Sequence, residues 1–217
     1  MILAIDTATS FAGLALYDSD TVWGEEIWYT NRNHTVELLP RLNRMLNTIS
    51  VSVSKLECIV VSHGPGSYTG VRIAVAVAKG LALPHQIPLV GVSTLDITAY
   101  PHKNQPLPVY AMAQAGRKRH LIARYQWHDD VWIQTISPFL TTISDVVVHL
   151  TEPILIAGEI TAKEANYLQE KLPDFVHVVN PIHRIRRPSI LAEIGMTKLN
   201  NQSKSDNNLE PVYLNSP

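Results

Sequence analysis

The sequence is poor in cysteine and in net charge. Its single cysteine, Cys58, cannot form a disulfide within the chain, so we expect a reducing, cytoplasmic compartment. The 18 Lys and Arg residues nearly balance the 19 Asp and Glu residues, which leaves a formal net charge of −1. A chain so close to neutrality lacks the overall positive charge that a stand-alone nucleic-acid-binding protein uses to attract phosphates.

Long hydrophobic runs are also missing. The longest, residues 71–83, contains Arg72 and Lys79 and is shorter than the roughly 20 residues that a membrane-spanning helix needs. The first ten residues, MILAIDTATS, have no basic segment and Asp6 interrupts their apolar run, so we do not expect a signal peptide. Because 46% of the residues are hydrophobic, we expect a large buried core. The shortness of the apolar runs leads us to expect no membrane association.

The first hundred residues predict alternating strands and helices. Short continuous apolar runs such as ILAI indicate buried strands, whereas residues 34–49 place leucines at helical spacing with charged residues on the other side. A glycine-rich turn separates an apolar strand from the apolar run at 71–83. The predicted elements are strands at 2–5, 11–17, 22–29, 58–61 and 88–92 and helices at 34–49, 69–83 and 93–100.

The second half repeats this order of elements after a proline-rich boundary at residues 100–108. Its predicted strands are 109–113, 121–126, 131–136, 154–157 and 175–179, and its predicted helices are 143–150, 160–172 and 189–199. A duplicated β-β-β-α-β-α-β-α unit predicts the two-lobed α/β architecture of actin, sugar kinases and Hsp70 ATPases. We expect lobes at residues 1–100 and 101–199, then a polar linker and an apolar C-terminal segment at 200–217 that packs back on the body.

The stretch SHGPGSYTGVR, residues 62–72, allows two interpretations. Backbone N–H groups at the start of a helix suit a phosphate, and Gly64, Gly66 and Ser67 would line such a site. In an actin-like architecture Asp6 and Thr7 would lie nearby and help to hold a metal–nucleotide. The pattern matches neither GxxxxGK[ST] nor GxGxxG, however, so a tight turn whose glycines serve packing alone is equally compatible with it.

Two further patterns each leave an alternative open. The helix VRIAVAVAKGLAL is apolar nearly all round, so it either lies in the core or has its alanine side covered by another subunit. The basic clusters at 117–120 and 183–187 are either solvated turns or a patch that contacts RNA or an acidic partner. We predict no metal site at His34: Glu37 lies three positions on, but Leu38 occupies the fourth and there is no HExxH motif. We also predict no nucleophilic role for Cys58 inside a strand.

Several motifs resemble the bacterial TsaB (YeaZ) family of tRNA threonylcarbamoyladenosine biosynthesis proteins. They are MILAIDTAT at the N-terminus, HTVELLP in the first helix, HGPGSYTGVRIAVAVAKGLAL, GVSTL at 91–95 and EPVYL near the C-terminus. The resemblance covers most of the first half and the extreme C-terminus, whereas residues 109–199 match only loosely.

The resemblance implies a non-catalytic subunit that needs no cofactor of its own. Its partner TsaD would carry the metal and transfer a threonylcarbamoyl group from its adenylate to an adenosine next to the tRNA anticodon. The ATPase TsaE would join them, Mg–ATP would belong to the partners, and tRNA would be reached through the complex. The partner, or a second copy of this chain, would dock on the first two helices; the predicted interface residues are His34, Leu38, Leu42, Met45, Arg72, Ala74, Val75 and Ala78.

One departure from the family pattern concerns the start of the second lobe. The family commonly has Asp-Ala-Arg there, whereas this chain has Gln114, Ala115 and Gly116. Loss of the carboxylate argues further against metal-dependent catalysis. The alternative function is an actin-like ATPase, kinase or protease-like enzyme that acts alone, and it would require Asp6 and the turn at 64–70 to hold Mg–ATP. A stand-alone RNA-binding module is a third interpretation.

Overall fold

Two five-stranded sheets, each with its own helices, form the framework of the chain. The computed structural model describes residues 1–30, 33–116, 118–150, 152–201 and 209–212. These residues form two compact units: Met1–Thr94 together with the described residues between 187 and 212, and Leu95–Arg186. The strands within the described ranges are β1 (Ile2–Asp6), β2 (Phe11–Tyr17), β3 (Val22–Tyr29), β4 (Cys58–Ser62), β5 (Leu89–Val92), β6 (Val109–Gln114), β7 (Arg119–His128), β8 (Val131–Thr142), β9 (Ile154–Gly158) and β10 (Val176–Val178). The helices there are α1 (His34–Ile49), α2 (Tyr68–Ala82), α3 (Thr94–Ala99), α4 (Ile143–His149), α5 (Ala162–Lys171) and α6 (Pro188–Asn201).

The first unit contains a mixed sheet with strand order β3-β2-β1-β4-β5. Strand β1 pairs antiparallel with β2, where Ala4 lies opposite Ala15, and parallel with β4, where Ala4 lies opposite Val60. Every residue of β1 and β4 is buried, as expected for strands that have helices over both sides of the sheet.

Alternate residues of β4 show which helices cover which side of the first sheet. Ile59 and Val61 belong to the core that contains the buried residues of α1 and α2. The side chain of Val60 points the other way, towards α6, where a Cβ at Gly195 would lie only 2.3 Å from it. Helices α1 and α2 therefore lie side by side on one face of the sheet, and α6 covers the opposite face.

The second unit repeats the topology of the first. Its sheet has the order β10-β9-β6-β7-β8, with β6 antiparallel to β7 and parallel to β9, just as β1 is antiparallel to β2 and parallel to β4. Helices α4 and α5 contribute Val146, Ala165 and Leu168 to its main core. The predicted duplicated α/β fold is confirmed.

The predicted limits of the two halves need correction. The first unit ends at Thr94 rather than at residue 100, and α6, which we placed in the second lobe at 101–199, packs on the sheet of the first unit. The order of elements along a chain does not say which sheet a terminal helix covers. Leu209 is 2% exposed and lies in the core of the first unit, so the described part of the C-terminal segment packs back as expected. Residues 202–208 and 213–217 lie outside the described residues.

Strand β8 is twice as long as predicted, since residues 137–142 continue the pairing with β7. Many side chains of this edge strand are exposed, and its register with β7 shifts near Arg124. Exposed, irregular edge strands lack the clear apolar alternation by which strands are recognised.

Among the helices that the structure describes, none has both the length and the apolar character needed to cross a membrane.

A half-buried carboxylate attaches helix α6 to the first sheet. Glu25 of β3 accepts hydrogen bonds from the Ser189 N–H at 2.9 Å and the Ser189 hydroxyl at 2.7 Å. Its other oxygen accepts from the Arg187 guanidinium, including a bond of 2.9 Å from Nε. These bonds hold the pKa of Glu25 below its usual value, although burial acts in the opposite direction. A negative charge at the start of a helix also complements the helix dipole.

We predict that Glu25→Ala lowers the free energy of unfolding by about 1–3 kcal/mol, because the half-buried Ser189 groups lose a charged acceptor. Urea denaturation followed by circular dichroism measures the change. The matched control is Glu170→Ala in α5, where the glutamate is exposed. Equal losses in the two variants would show that α6 does not depend on this attachment.

Candidate functional site

The glycine-rich turn between β4 and α2 packs directly on the loop that follows β1. The Ser67 N–H donates to the Ala8 carbonyl at 2.6 Å, and the Thr7 hydroxyl donates to the Gly70 carbonyl at 2.6 Å. A Cβ at Gly66 would lie 2.2 Å from the carbonyl oxygen of Ala8, and one at Gly70 would lie 1.9 Å from that of Thr7. No larger residue fits at either position without moving the backbone. These two glycines therefore allow two loops of the chain to touch.

The residues predicted to bind phosphate lie in or beside this contact. Asp6 and Thr7 are 4% and 0% exposed, and Asp6 Oδ1 accepts a hydrogen bond from the Ala8 N–H at 2.9 Å. The Ser67 hydroxyl caps α2 by accepting from the Gly70 N–H at 3.2 Å. Gly64 is buried, whereas Gly66 and Ser67 are exposed. Nucleotide binding by Asp6, Thr7, Gly64, Gly66 and Ser67 stays a prediction.

The sides of α1 and α2 that face the sheet carry nearly all residues that we assigned to a partner interface. Leu38, Ala74 and Ala78 have no exposed surface and belong to the core of the first unit. A side chain that fills the core cannot at the same time contact another subunit. We therefore remove seven of the eight residues from the interface: His34, Leu38, Leu42, Met45, Ala74, Val75 and Ala78.

The interface prediction was wrong because it assumed an incorrect orientation of the helices about their own axes. In α2, alanines occupy positions 74, 76 and 78, so they fall on opposite sides of the helix. Ala74 and Ala78 point to the core, and Ala76 points outwards. Because the helix is apolar nearly all round, its sequence does not show which alanine side is the outer one.

The outer sides of α1 and α2 form an exposed surface on which several large apolar side chains lie among polar ones. Val36 is 67% exposed and Leu39 49% in α1, Tyr68 is 57% exposed in α2, and Leu83 directly after α2 is 82% exposed. We call this surface the outer helical face and define it as Val36, Leu39, Pro40, Tyr68, Arg72, Ala76, Lys79 and Leu83. Single exposed apolar residues are ordinary, but a set on two adjacent helices is typical of a protein-binding surface.

Arg72 is the one predicted interface residue that remains on this face. Its guanidinium lies 5.1 Å from the centre of the Tyr68 ring and also donates to the Tyr68 hydroxyl. The two residues are four positions apart on one side of the helix. Arg72 thus stacks on Tyr68 within this chain and stays exposed.

His34 begins α1 as a buried side chain, 5% exposed. Burial lowers its pKa, while the charges of Glu37 and Asp6 act in the opposite direction. Glu37 itself accepts a hydrogen bond from the indole of Trp28 at 2.9 Å. Among the residues that the structure describes, no group of three or more His, Cys, Asp or Glu side chains could hold a metal ion.

The arginines at 183–187 make specific contacts within the chain. Arg184 donates to the carbonyl oxygens of Val179 at 2.7 Å and Ile160 at 3.1 Å, and Arg187 pairs with Glu25. These contacts assign Arg184 and Arg187 structural roles that the sequence did not reveal. In the other basic cluster, Arg117 lies outside the described residues, and tRNA contact by either cluster stays a prediction.

Two other candidate positions are also placed by the structure. Cys58 is buried within β4, and burial raises the pKa of its thiol to about 12, so it carries almost no reactive thiolate at neutral pH. At the end of β6 the backbone N–H of Gln114 donates to the Glu159 carboxylate at 2.8 Å. Gly116 follows with a φ of +70°, a conformation that favours glycine.

These features define a class of protein: a duplicated actin-like α/β protein whose first unit carries an exposed helical face. Ethanolamine utilization protein EutJ from Carboxydothermus hydrogenoformans shares the fold with a TM-score of 0.51 at 12% identity, covering 89% of this chain and 87% of its own. Residues 28–201 match the family model described as TsaD: tRNA N6-adenosine threonylcarbamoyltransferase.

More similar relatives narrow the class to a family. The tRNA threonylcarbamoyladenosine biosynthesis protein TsaB of Bacillus subtilis is 32% identical over 216 residues, which are 98% of this chain and 93% of its own length. The Escherichia coli protein of the same name is 36% identical over 145 residues, 63% of this chain and 62% of its own. The structure of YeaZ from Pseudomonas aeruginosa superposes with a TM-score of 0.79 at 25% identity, over 98% of this chain and 99% of that one. The chain belongs to the TsaB (YeaZ) family.

Buried histidines should make the stability of the protein depend on pH. Burial lowers the pKa of His34, His102 and His120. Below the usual histidine pKa of about 6.5 the unfolded chain takes up protons that the folded chain does not. The free energy of unfolding therefore decreases as pH falls from 6.5 towards the lowered pKa values, by at most about 1.4 kcal/mol per pH unit for each histidine.

We predict that His34→Asn makes this decrease shallower, because one of the buried histidines is gone. Urea titrations at a series of pH values between neutrality and mild acid measure the slope. His85→Asn, which replaces an exposed histidine, is the control and should keep the slope of the unmodified protein. A slope that His34→Asn leaves unchanged would contradict the prediction.

Proposed function

We propose that this protein is a non-catalytic subunit in the biosynthesis of threonylcarbamoyladenosine in tRNA, and that its outer helical face binds the catalytic subunit TsaD. The observation that carries the proposal is this exposed apolar face on α1 and α2 in a chain of the TsaB family. Leu39 is 49% exposed and Leu83 82% exposed. Burial of such apolar surface against a partner stabilises the complex.

The relation to TsaD supports a particular mode of docking. A chain whose residues 28–201 match the TsaD family model shares its order of elements, so TsaD should carry helices equivalent to α1 and α2. Two related chains can then meet through corresponding faces, as two identical chains do across a two-fold axis. A second copy of this chain would use the same face, so homodimer formation and TsaD binding should compete.

Two cations give the outer helical face an electrostatic preference. Arg72 and Lys79 lie on it and are exposed, and the described part of the face contains no acidic side chain. Complementary charge on a partner increases the association rate and fixes the register of the complex. We therefore expect acidic residues on the TsaD surface opposite α2.

The chemistry is assigned to the partners. In the proposed complex TsaD holds the divalent metal and transfers the threonylcarbamoyl group, TsaE hydrolyses ATP, and this chain requires no cofactor. Two observations support this division: Asp6 and Thr7 are buried and hydrogen-bonded, and the Cys58 thiol is protonated at neutral pH. With a net charge of −1, this chain is expected to reach tRNA through the complex.

We predict that Leu39→Glu and Ala76→Glu each weaken TsaD binding by at least about 30-fold, the effect of removing a 2 kcal/mol hot spot. A glutamate there places a charge in a contact that excludes water, without altering the core. Isothermal titration calorimetry with purified TsaD measures the affinity, and size-exclusion chromatography shows whether homodimers dissociate as well.

Val131→Glu is the matched control, since Val131 is 57% exposed on β8 in the second unit. It should leave TsaD binding unchanged. If Leu39→Glu and Ala76→Glu also bind TsaD as tightly as the unmodified chain, the assignment of the outer helical face is incorrect.

Reconstitution tests the assigned role itself. Modification of tRNA by TsaD and TsaE should depend on this chain, and the isolated chain should not hydrolyse Mg–ATP. Micromolar binding of Mg–ATP with turnover by the isolated chain would instead support an actin-like enzyme that acts alone.

A further inference from the structure

The described C-terminal residues 209–212 occupy a slot beside the turn that leads into α2. The Leu209 side chain is 2% exposed and belongs to the core of the first unit. The Val212 N–H donates to the carbonyl of His63 at 2.8 Å, so the segment pairs with the chain directly beyond β4. We call residues 209–212 the C-terminal strap.

Two glycines leave room for the strap. A Cβ at Gly91 would lie 2.5 Å from Leu209 Cδ1 and 2.5 Å from the His63 ring. At Gly64 the nearest atom to an added Cβ would be the Val212 carbonyl oxygen, at 2.8 Å, and the φ of +109° already favours glycine. The absence of side chains at Gly64 and Gly91 therefore leaves the space that this segment of the chain occupies.

The turn also has partners other than the strap. His63 and Gly64 are also held by β5 and the residues after it, through hydrogen bonds from His63 N–H to Val92 and from Thr94 N–H to Gly64. Ser67, three residues beyond Gly64, binds the loop after β1. The strap is thus a third segment, besides β5 and the loop after β1, that contacts the residues leading into α2.

Within the described residues, the strap is attached by few interactions. One buried leucine and one backbone hydrogen bond are its main contacts there. In the sequence, the polar residues QSKSDNN at 202–208 connect it to α6. Segments with few buried contacts open locally, without unfolding of the domain. Opening of the strap would release one side of the turn while the sheet and α6 stay folded.

From these contacts we propose that the C-terminal strap binds reversibly to the 63–70 turn. By binding and releasing this turn, the strap controls whether the start of α2 is ordered. With the strap bound, the turn is ordered and presents Tyr68 and Arg72 in their observed positions. With the strap released, the turn and the first residues of α2 become mobile. The effect on the turn is independent of the proposed function; only its consequence for TsaD binding rests on that function.

Hydrogen exchange of the full-length protein, measured by mass spectrometry, tests the proposal. Leu209→Ala should accelerate exchange of the amides in residues 63–72 by roughly tenfold, whereas peptides from residues 95–186 keep their rates. Glu210→Ala, which changes an exposed neighbour of Leu209, is the control and should exchange like the unmodified protein. Unchanged rates at 63–72, or an equal increase throughout the first unit, would overturn the proposal.

A second pair of variants separates strap release from loss of a core side chain. Val212→Pro removes the N–H that binds His63, while Val212→Ala keeps it; Val212 itself is 41% exposed. Only Val212→Pro should accelerate exchange at 63–72. Equal behaviour of the two variants would show that the backbone pairing does not hold the turn.

Addition of the strap as a separate peptide tests exchangeability. A synthetic peptide of sequence NNLEPVYLNSP, added in excess to the Leu209→Ala protein, should restore slow exchange at 63–72, and NNAEPVYLNSP should not. Failure of the first peptide to restore it would overturn the claim that the strap exchanges.

A TsaD titration then separates this proposal from the proposed function. Leu209→Ala should weaken binding and accelerate exchange together, whereas Ala76→Glu should weaken binding with normal exchange at 63–72. If Leu209→Ala accelerates exchange but binds TsaD normally, the strap does not control the outer helical face.

Discussion

The contact between the loop after β1 and the turn after β4 is the constraint on which the first unit depends. The backbones approach so closely at Gly66 and Gly70 that only glycine fits, and hydrogen bonds from Thr7 and Ser67 close the contact. Because Ser67 is also the cap of α2, the same contact decides where that helix begins. The arrangement resembles a phosphate-binding turn in sequence, yet in the structure carbonyl oxygens of the chain itself occupy the space beside the glycines.

The position of α2 then determines which residues can meet a partner. Once Ala74, Val75 and Ala78 pack on the sheet, Tyr68, Arg72 and Ala76 must face outwards, because residues on one side of a helix recur every three or four positions. The Glu25 attachment places α6 on the other side of the same sheet, so α1 and α2 stay uncovered within the first unit. The outer helical face thus follows from a fold in which each helix has a defined side of the sheet.

Much of the fold could be predicted because its local signals are strong. Residues 34–49 form α1 as predicted, α2 is displaced by one residue, and the order of strands and helices is correct in both units. In α1, apolar residues recur at helical spacing and charged residues lie on the other side of the helix. Strands β1 and β4 are continuous apolar runs between turn residues. Strand β8 was predicted too short, since an exposed edge strand has no buried side to reveal it.

The sequence by itself determined the types of elements, the duplication and, through its motifs, the family. Tertiary structure alone decided that α6 belongs to the first sheet, that Leu209 fills its core and that the leucines and alanines chosen for the interface face inwards. Periodicity describes one helix at a time, and in α2 it is nearly uniform around the axis. Which side is buried depends on packing partners that lie far away along the chain, and those contacts exist only in the folded protein.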